Sequence, residues 1–206
     1  MDNNSEMSKT RNSNSAVYKL VLSALLIALA TVLSFVKIVK LPLGGSITLL
    51  SMLPIVMISI MFGLKWGFGS AFVYSVIQLF FGIVSDGLLA WGLTPVMLVG
   101  TILLDYLVAF TVLGIAGVFA KKGYKGICGG IVLAFVLRFI SHFISGYVIF
   151  KKLEQFELFG NLFENSPVLY SIAYNGMYML PELILTTIAA LILFKQPIIK
   201  KQMGIK

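Results

Sequence analysis

Four ionisable side chains interrupt the long apolar runs of this sequence: Asp105, Arg138, His142 and Glu182. Ionisable groups are costly in hydrocarbon, so within membrane spans they are candidates for function by default. A carboxylate next to an aromatic side chain, as Asp105 is next to Tyr106, suits a cationic or amino-bearing aromatic ligand. Such a ligand is held by charge pairing and cation–π contact. The chemistry that these residues favour is therefore ligand binding.

Catalysis and metal binding do not suit the same residues. Ser141 adjoins His142, but neighbouring positions on a helix point in different directions and do not form a nucleophile–base pair. His142 is the single histidine and has no close carboxylate on its own helix, which leaves too few metal ligands. The chain also lacks the P-loop pattern GxxxxGK[ST]. We therefore predict a protein that is not an enzyme and needs no cofactor.

Arg138 and His142 also have structural interpretations. Their spacing of four residues places them on one helix face. Arg138 fits a buried ion pair with either Glu182 or Asp105, and the sequence does not decide between the two. His142 fits either a ligand contact or a hydrogen bond between helices.

The composition indicates a polytopic membrane protein. Of the 206 residues, 59% are hydrophobic and 12% are charged, whereas soluble domains have about 25% charged residues. Six apolar runs are each long enough to approach a membrane span, and Pro54 is expected to kink the second. The predicted spans are 17–36, 47–63, 67–84, 95–120, 127–150 and 167–194. The predicted fold class is thus all-α, a six-transmembrane-helix bundle over 17–195 between a disordered tail at 1–16 and a basic tail at 196–206.

The basic residues outside the spans predict the orientation. Most of them fall in the two tails and in the second-to-third and fourth-to-fifth loops, which places both termini in the cytoplasm. Their position in short loops favours topology and lipid contact over nucleic-acid binding. With this orientation, polar residues of four helices converge in the outer half of the bundle, which indicates a pocket open to the outside and not a continuous pore.

The first predicted helix carries two small residues four apart, Ala24 and Ala28. Small residues at this spacing let another helix approach closely in lipid. The spacing fits docking of a partner subunit and internal packing equally well.

Three segments carry a resemblance to a known family. They are DYLVAFTVLGIAGVF at 105–119, FISHFISG at 139–146 and LYSIAYNGMYMLPE at 169–182. With six spans in about 200 residues, they resemble the thiamine-specific S components, of the ThiT or YuaJ type, of energy-coupling factor (ECF) vitamin transporters. The resemblance implies a subunit of the bacterial cell membrane that captures thiamine, or a similar small cationic aromatic ligand, from outside. It also implies ATP-driven uptake with a transmembrane (T) subunit, docked on Ala24 and Ala28, and two ATPase subunits.

The resemblance also implies a set of site residues. The substrate contacts are Asp105, Tyr106, His142, Gly146, Tyr170 and Asn175, with Tyr74 as a further aromatic in the lining. The loop at 40–50 would be a lid, with Gly44 and Gly45 as its hinge. The chain departs from the family where Asp105 replaces Glu and Phe150 replaces Trp. Its tryptophans are Trp66, predicted on the cytoplasmic side, and Trp91, predicted in an external loop.

Two alternatives stay open at this point. The ligand could be a related vitamin or a thiamine precursor. The chain could also be a stand-alone ion-coupled carrier that uses the four ionisable residues as a relay, although no internal repeat supports this.

Overall fold

The computed structural model describes residues 15–150, 166–197 and 199, and these form a bundle of helices. Five helices are long and apolar enough to cross a membrane: α1 (Ala16–Phe35), α3 (Leu64–Val84), α4 (Pro95–Gly117), α5 (Gly123–Val148) and α6 (Pro167–Phe194). A shorter helix, α2 (Leu53–Phe62), comes between α1 and α3 in the chain. The predicted class, a helical membrane bundle, is confirmed. The orientation of the termini stays a prediction, and the predicted tails at 1–16 and 196–206 lie almost wholly outside the described residues.

The second predicted span, 47–63, divides into two structures. Its first residues belong to a strand, and α2 has only 10 residues, about half of the length that crosses hydrocarbon. The run from Leu53 to Ile60 is buried throughout, so α2 is a core helix that is apolar on all sides. Hydropathy does not separate these cases because lipid and protein interior are both apolar. The kink predicted at Pro54 is also wrong, since Pro54 lies in the first turn, where no helical hydrogen bond is lost.

A β-hairpin at 37–48, which we call the hairpin, is an exception to the predicted all-α fold. Strands β1 (Lys37–Lys40) and β2 (Ser46–Thr48) pair antiparallel, with Lys37 opposite Thr48. In the turn between them, Gly44 has a φ of +88°, a left-handed conformation that favours glycine. An isolated hairpin of two short strands is marginally stable, so this one depends on contacts with the helices.

Helix α4 departs from regular α-helical geometry around Asp105. A regular α-helical segment at Pro95–Thr101 passes into a π-helical stretch at Ile102–Val108, which contains Asp105 and Tyr106. A short α-helical turn and a 3₁₀ segment at Val112–Gly117 complete the helix. π-Helical stretches are rare and are frequent at functional sites.

Candidate functional site

A cavity of about 120 Å³ lies beneath the hairpin, among α3, α4, α5 and α6. Its polar and charged walls come from Lys37, Thr48, Gln78, Asp86, Asp105, Arg138, His142, Asn175 and Glu182. Its aromatic walls come from Trp91, Tyr106, Phe110, Phe150, Tyr170, Tyr174 and Tyr178. The mixture of aromatic surface with a few convergent polar groups is typical of a small-molecule site.

The predicted binding residues on α4, α5 and α6 all line this cavity. They are Asp105, Tyr106, His142, Gly146, Tyr170 and Asn175. Their contact with a ligand remains a prediction.

Tyr74 is the predicted binding residue that does not line the cavity. It is fully buried on α3, and its ring meets Phe110 edge to face with centroids 5.6 Å apart. Because Phe110 itself lines the cavity, Tyr74 supports the wall from behind.

Asp105 is held by two side chains of α5. Its Oδ1 lies 2.8 Å from His142 Nδ1, and its Oδ2 accepts a hydrogen bond from the Ser145 hydroxyl. A carboxylate only accepts, so the proton of a neutral His142 stands on Nδ1 and Nε2 carries a lone pair. Nε2 is buried and has no hydrogen-bond partner among the described residues. A neutral His142 therefore keeps one hydrogen-bond acceptor, Nε2, that the described residues do not use.

Asn175 ties α6 to α5 beside this cluster. Its Nδ2 donates to the carbonyl oxygens of Ser171 at 2.9 Å and His142 at 3.4 Å, and its Oδ1 accepts from Tyr178 at 2.8 Å. A Cβ atom on Gly146 would lie 2.3 Å from Ser171 Oγ, so glycine is needed for this approach of the helices. The structure thereby brings together residues that the sequence placed at one depth.

Arg138 pairs with Glu182, which decides the alternative that the sequence left open. Nη1 of Arg138 lies 3.4 Å from Oε2 of Glu182, and the two side chains are only 5% and 3% exposed. The guanidinium also lies 4.5 Å above the ring of Phe110. On its other oxygen, Glu182 accepts hydrogen bonds from the Thr48 amide at 2.9 Å and hydroxyl at 2.6 Å. This ion pair therefore lines the cavity and holds strand β2 of the hairpin at the same time.

The aromatic ring of Trp91 lines the cavity, although the sequence suggested only an external loop. Its centroid is 6.4 Å from that of Phe150, which also lines the cavity. A Cβ atom on Gly44 would lie 2.9 Å from Trp91 Cη2, so the indole touches the hairpin turn. Sequence reasoning missed Trp91, Lys37 and Asp86 as lining residues because they lie in segments without helical periodicity.

Ala24 and Ala28 lie on a different surface. Both are exposed on α1 and line an apolar groove between α1 and α3, away from the cavity residues. Their exposure argues against internal packing as the reason for the small side chains. Docking of a partner on them stays a prediction.

Comparisons with known proteins agree with this architecture. Residues 20–201 match the sequence model of a family described as thiamine transporter protein (Thia_YuaJ). The thiamine transporter ThiT of Bacillus subtilis strain 168 is 29% identical over 198 residues, which cover 89% of this chain and 93% of that relative. A solved structure of ThiT from Listeria monocytogenes superposes with a TM-score of 0.70, covering 92% of this chain and 99% of that one at 22% identity. At that identity, the likeness shows a shared fold.

Proposed function

This chain belongs to the thiamine transporter family of multi-pass bacterial cell-membrane proteins, and we propose that it is the substrate-binding subunit of an ECF importer with thiamine as its ligand. The observation that carries the proposal is the charge balance of the cavity. Lys37 faces Asp86 at 2.5 Å, and Arg138 faces Glu182 at 3.4 Å. With a neutral imidazole, the charge of Asp105 is left without a cationic partner among the described lining residues. A ligand with a single positive charge, such as a thiazolium, balances it.

Hydrogen bonding in the cavity supports the same ligand. The Nε2 lone pair of His142 is an acceptor, and the amino group of an aminopyrimidine is a donor that matches it. The rings of Trp91, Tyr106 and Tyr174 supply faces for a flat aromatic cation. The proposal thus assigns the aminopyrimidine to the Asp105–His142 side and the thiazolium ring to the aromatic walls.

Isothermal titration calorimetry on the purified protein tests the ligand. Thiamine is expected to bind with a micromolar or lower Kd, and its uncharged aminopyrimidine half is expected to bind more weakly. Absence of binding at micromolar thiamine would reject thiamine as the ligand. Tighter binding of the uncharged half would favour a precursor, which is the alternative substrate.

The proposed partners are a transmembrane T subunit and two ATPase subunits. Because the sequence lacks a P-loop, ATP hydrolysis must come from another chain. The exposed small residues of the groove fit a closely packed partner helix. In proteoliposomes, uptake is expected only with the ATPase module and ATP, and Ala28→Leu is expected to lower uptake while thiamine binding stays unchanged. Uptake by this chain alone, driven by a pH gradient, would instead support an ion-coupled carrier.

A further inference from the structure

Asp86, in the loop between α3 and α4, contacts both the hairpin, which covers the cavity, and the side chain of Trp91. Its Oδ1 lies 2.5 Å from Nζ of Lys37 and 3.8 Å from Nζ of Lys40, both on strand β1. Its backbone carbonyl accepts a hydrogen bond of 3.1 Å from Trp91 Nε1. Since the Trp91 ring touches the hairpin turn at Gly44, this one residue connects the loop to β1 directly and to the turn through the indole.

The hairpin is attached on its opposite side to α6. The Gly45 amide donates to the Tyr174 hydroxyl at 3.2 Å, and Thr48 donates twice to Glu182. The hairpin that covers the cavity is thus attached to α6 on one side and to the α3–α4 loop on the other.

The two attachments differ in their exposure to water. Glu182 is buried and shared with Arg138, so separating it from Thr48 leaves unsatisfied polar groups in an apolar surrounding. The side chains of Lys37 and Asp86 are 22% and 17% exposed, so water can solvate both charges when they separate. The Lys37–Asp86 pair is therefore the attachment that opens at the lower cost.

We propose that Asp86 is the positioning residue that holds the hairpin closed and thereby sets the rate of ligand release. The inference rests on the proposed function, because it takes the cavity beneath the hairpin as the ligand site. In this arrangement the hairpin lifts from the α3–α4 loop first and stays attached to α6.

The test is the dissociation rate of thiamine measured by stopped flow in wild type and Asp86→Asn. The substitution keeps the size of the side chain and the backbone carbonyl that binds Trp91, and removes the charge. We expect release to become about fivefold to tenfold faster, as for a partly shielded charge-assisted bond. Lys65→Gln, at the other end of α3, is the matched loss of one charge and is expected to leave the rate unchanged.

Salt dependence and a double substitution identify the pair itself. Wild-type release is expected to accelerate between about 0.1 M and 1 M salt, where the Debye length falls from about 10 Å to about 3 Å. Release from Asp86→Asn is expected to respond much less. Lys37→Gln combined with Asp86→Asn is expected to release ligand no faster than Asp86→Asn alone, because Asp86→Asn already removes the charge that pairs with Lys37 and Lys40. If the rate increases of the two single variants instead multiply in the double variant, Lys37 and Asp86 do not act as a pair.

Hydrogen–deuterium exchange of the hairpin amides in ligand-free protein provides a readout that does not depend on thiamine. Asp86→Asn is expected to increase exchange in the hairpin, whereas Asp86→Glu is expected to restore protection in part. Unchanged release in Asp86→Asn would overturn the inference whatever the exchange shows. If wild type fails to bind thiamine, the proposed ligand is rejected. Unchanged hydrogen–deuterium exchange in Asp86→Asn would then separately reject the attachment of the hairpin by Asp86.

Discussion

Asp105→Asn is expected to weaken thiamine binding more than any other isosteric change in the cavity. In the wild type, Asp105 accepts from His142 Nδ1 at 2.8 Å, which leaves Nε2 as an acceptor. An amide at position 105 can donate as well as accept, so it can hold Nδ1 as the acceptor and turn Nε2 into a donor. A donor at Nε2 opposes the amino group of an aminopyrimidine. The substitution also removes the uncompensated negative charge.

The size of the effect follows from the geometry. A ligand atom bonded to Nε2 lies about 8 Å from the carboxylate, because the imidazole ring and a second hydrogen bond follow the first. The thiazolium charge lies beyond that atom, at about 10 Å, where a unit positive charge is attracted by about 1.7 kcal/mol at an effective dielectric constant of about 20. Loss of one neutral hydrogen bond adds about 1 kcal/mol. Together these terms raise the Kd for thiamine by about 100-fold.

Calorimetry with two ligands separates the two terms. The uncharged aminopyrimidine half loses only the hydrogen bond, so its Kd is expected to rise about fivefold. Asp105→Glu keeps the charge and serves as the control, while Asp105→Ala is expected to abolish binding. An unchanged thiamine Kd in Asp105→Asn, with the fold intact by thermal unfolding, would show that the pocket is misplaced. Equal losses for both ligands would refute the charge term.

Three further substitutions test other parts of the site. Arg138→Ala leaves the Glu182 charge buried and unpaired, so it is expected to lower the free energy of unfolding by about 3–5 kcal/mol; an unchanged Tm in detergent would contradict this. Gly146→Ala places a Cβ atom 2.3 Å from a hydroxyl of α6, and a loss of about 1–3 kcal/mol is expected in the same assay. Trp91→Phe is expected to abolish the fluorescence change caused by thiamine, whereas Trp66→Phe is expected to retain it. The opposite pattern would remove Trp91 from the site.

Most of the helices could be predicted because the length of each long apolar run in the sequence is close to the length of the helix that it forms. The sixth predicted span, 167–194, coincides with α6, and the first is displaced by one residue from α1. The second predicted span differs in extent, because its first residues form strand β2 and because a buried helix such as α2 and a lipid-facing helix are equally apolar. The hairpin also escaped prediction because its strands are short and its stability comes from contacts with α6 and the α3–α4 loop.

The site could be predicted where helix depth alone brings residues together. Asp105, His142 and Asn175 lie on three helices at one predicted level, and the structure joins them through hydrogen bonds. For Arg138 the sequence predicts a buried ion pair with Glu182 or Asp105, and the structure shows the pair with Glu182. Its position in the cavity lining was not predicted, because depth along a helix does not say which neighbours surround a side chain.

The sequence by itself determined the membrane class of this protein, the extent of its long helices and the shared depth of Asp105, His142 and Asn175, because hydropathy and helical period are local properties. Only the tertiary structure decided the partner of Arg138, the burial of α2 and the closure of the cavity. Closure depends on Lys37 and Asp86, which are 49 residues apart in the chain, and on an indole that reaches the hairpin turn. Contacts of this kind join segments without periodicity, so they exist only once the helices have packed.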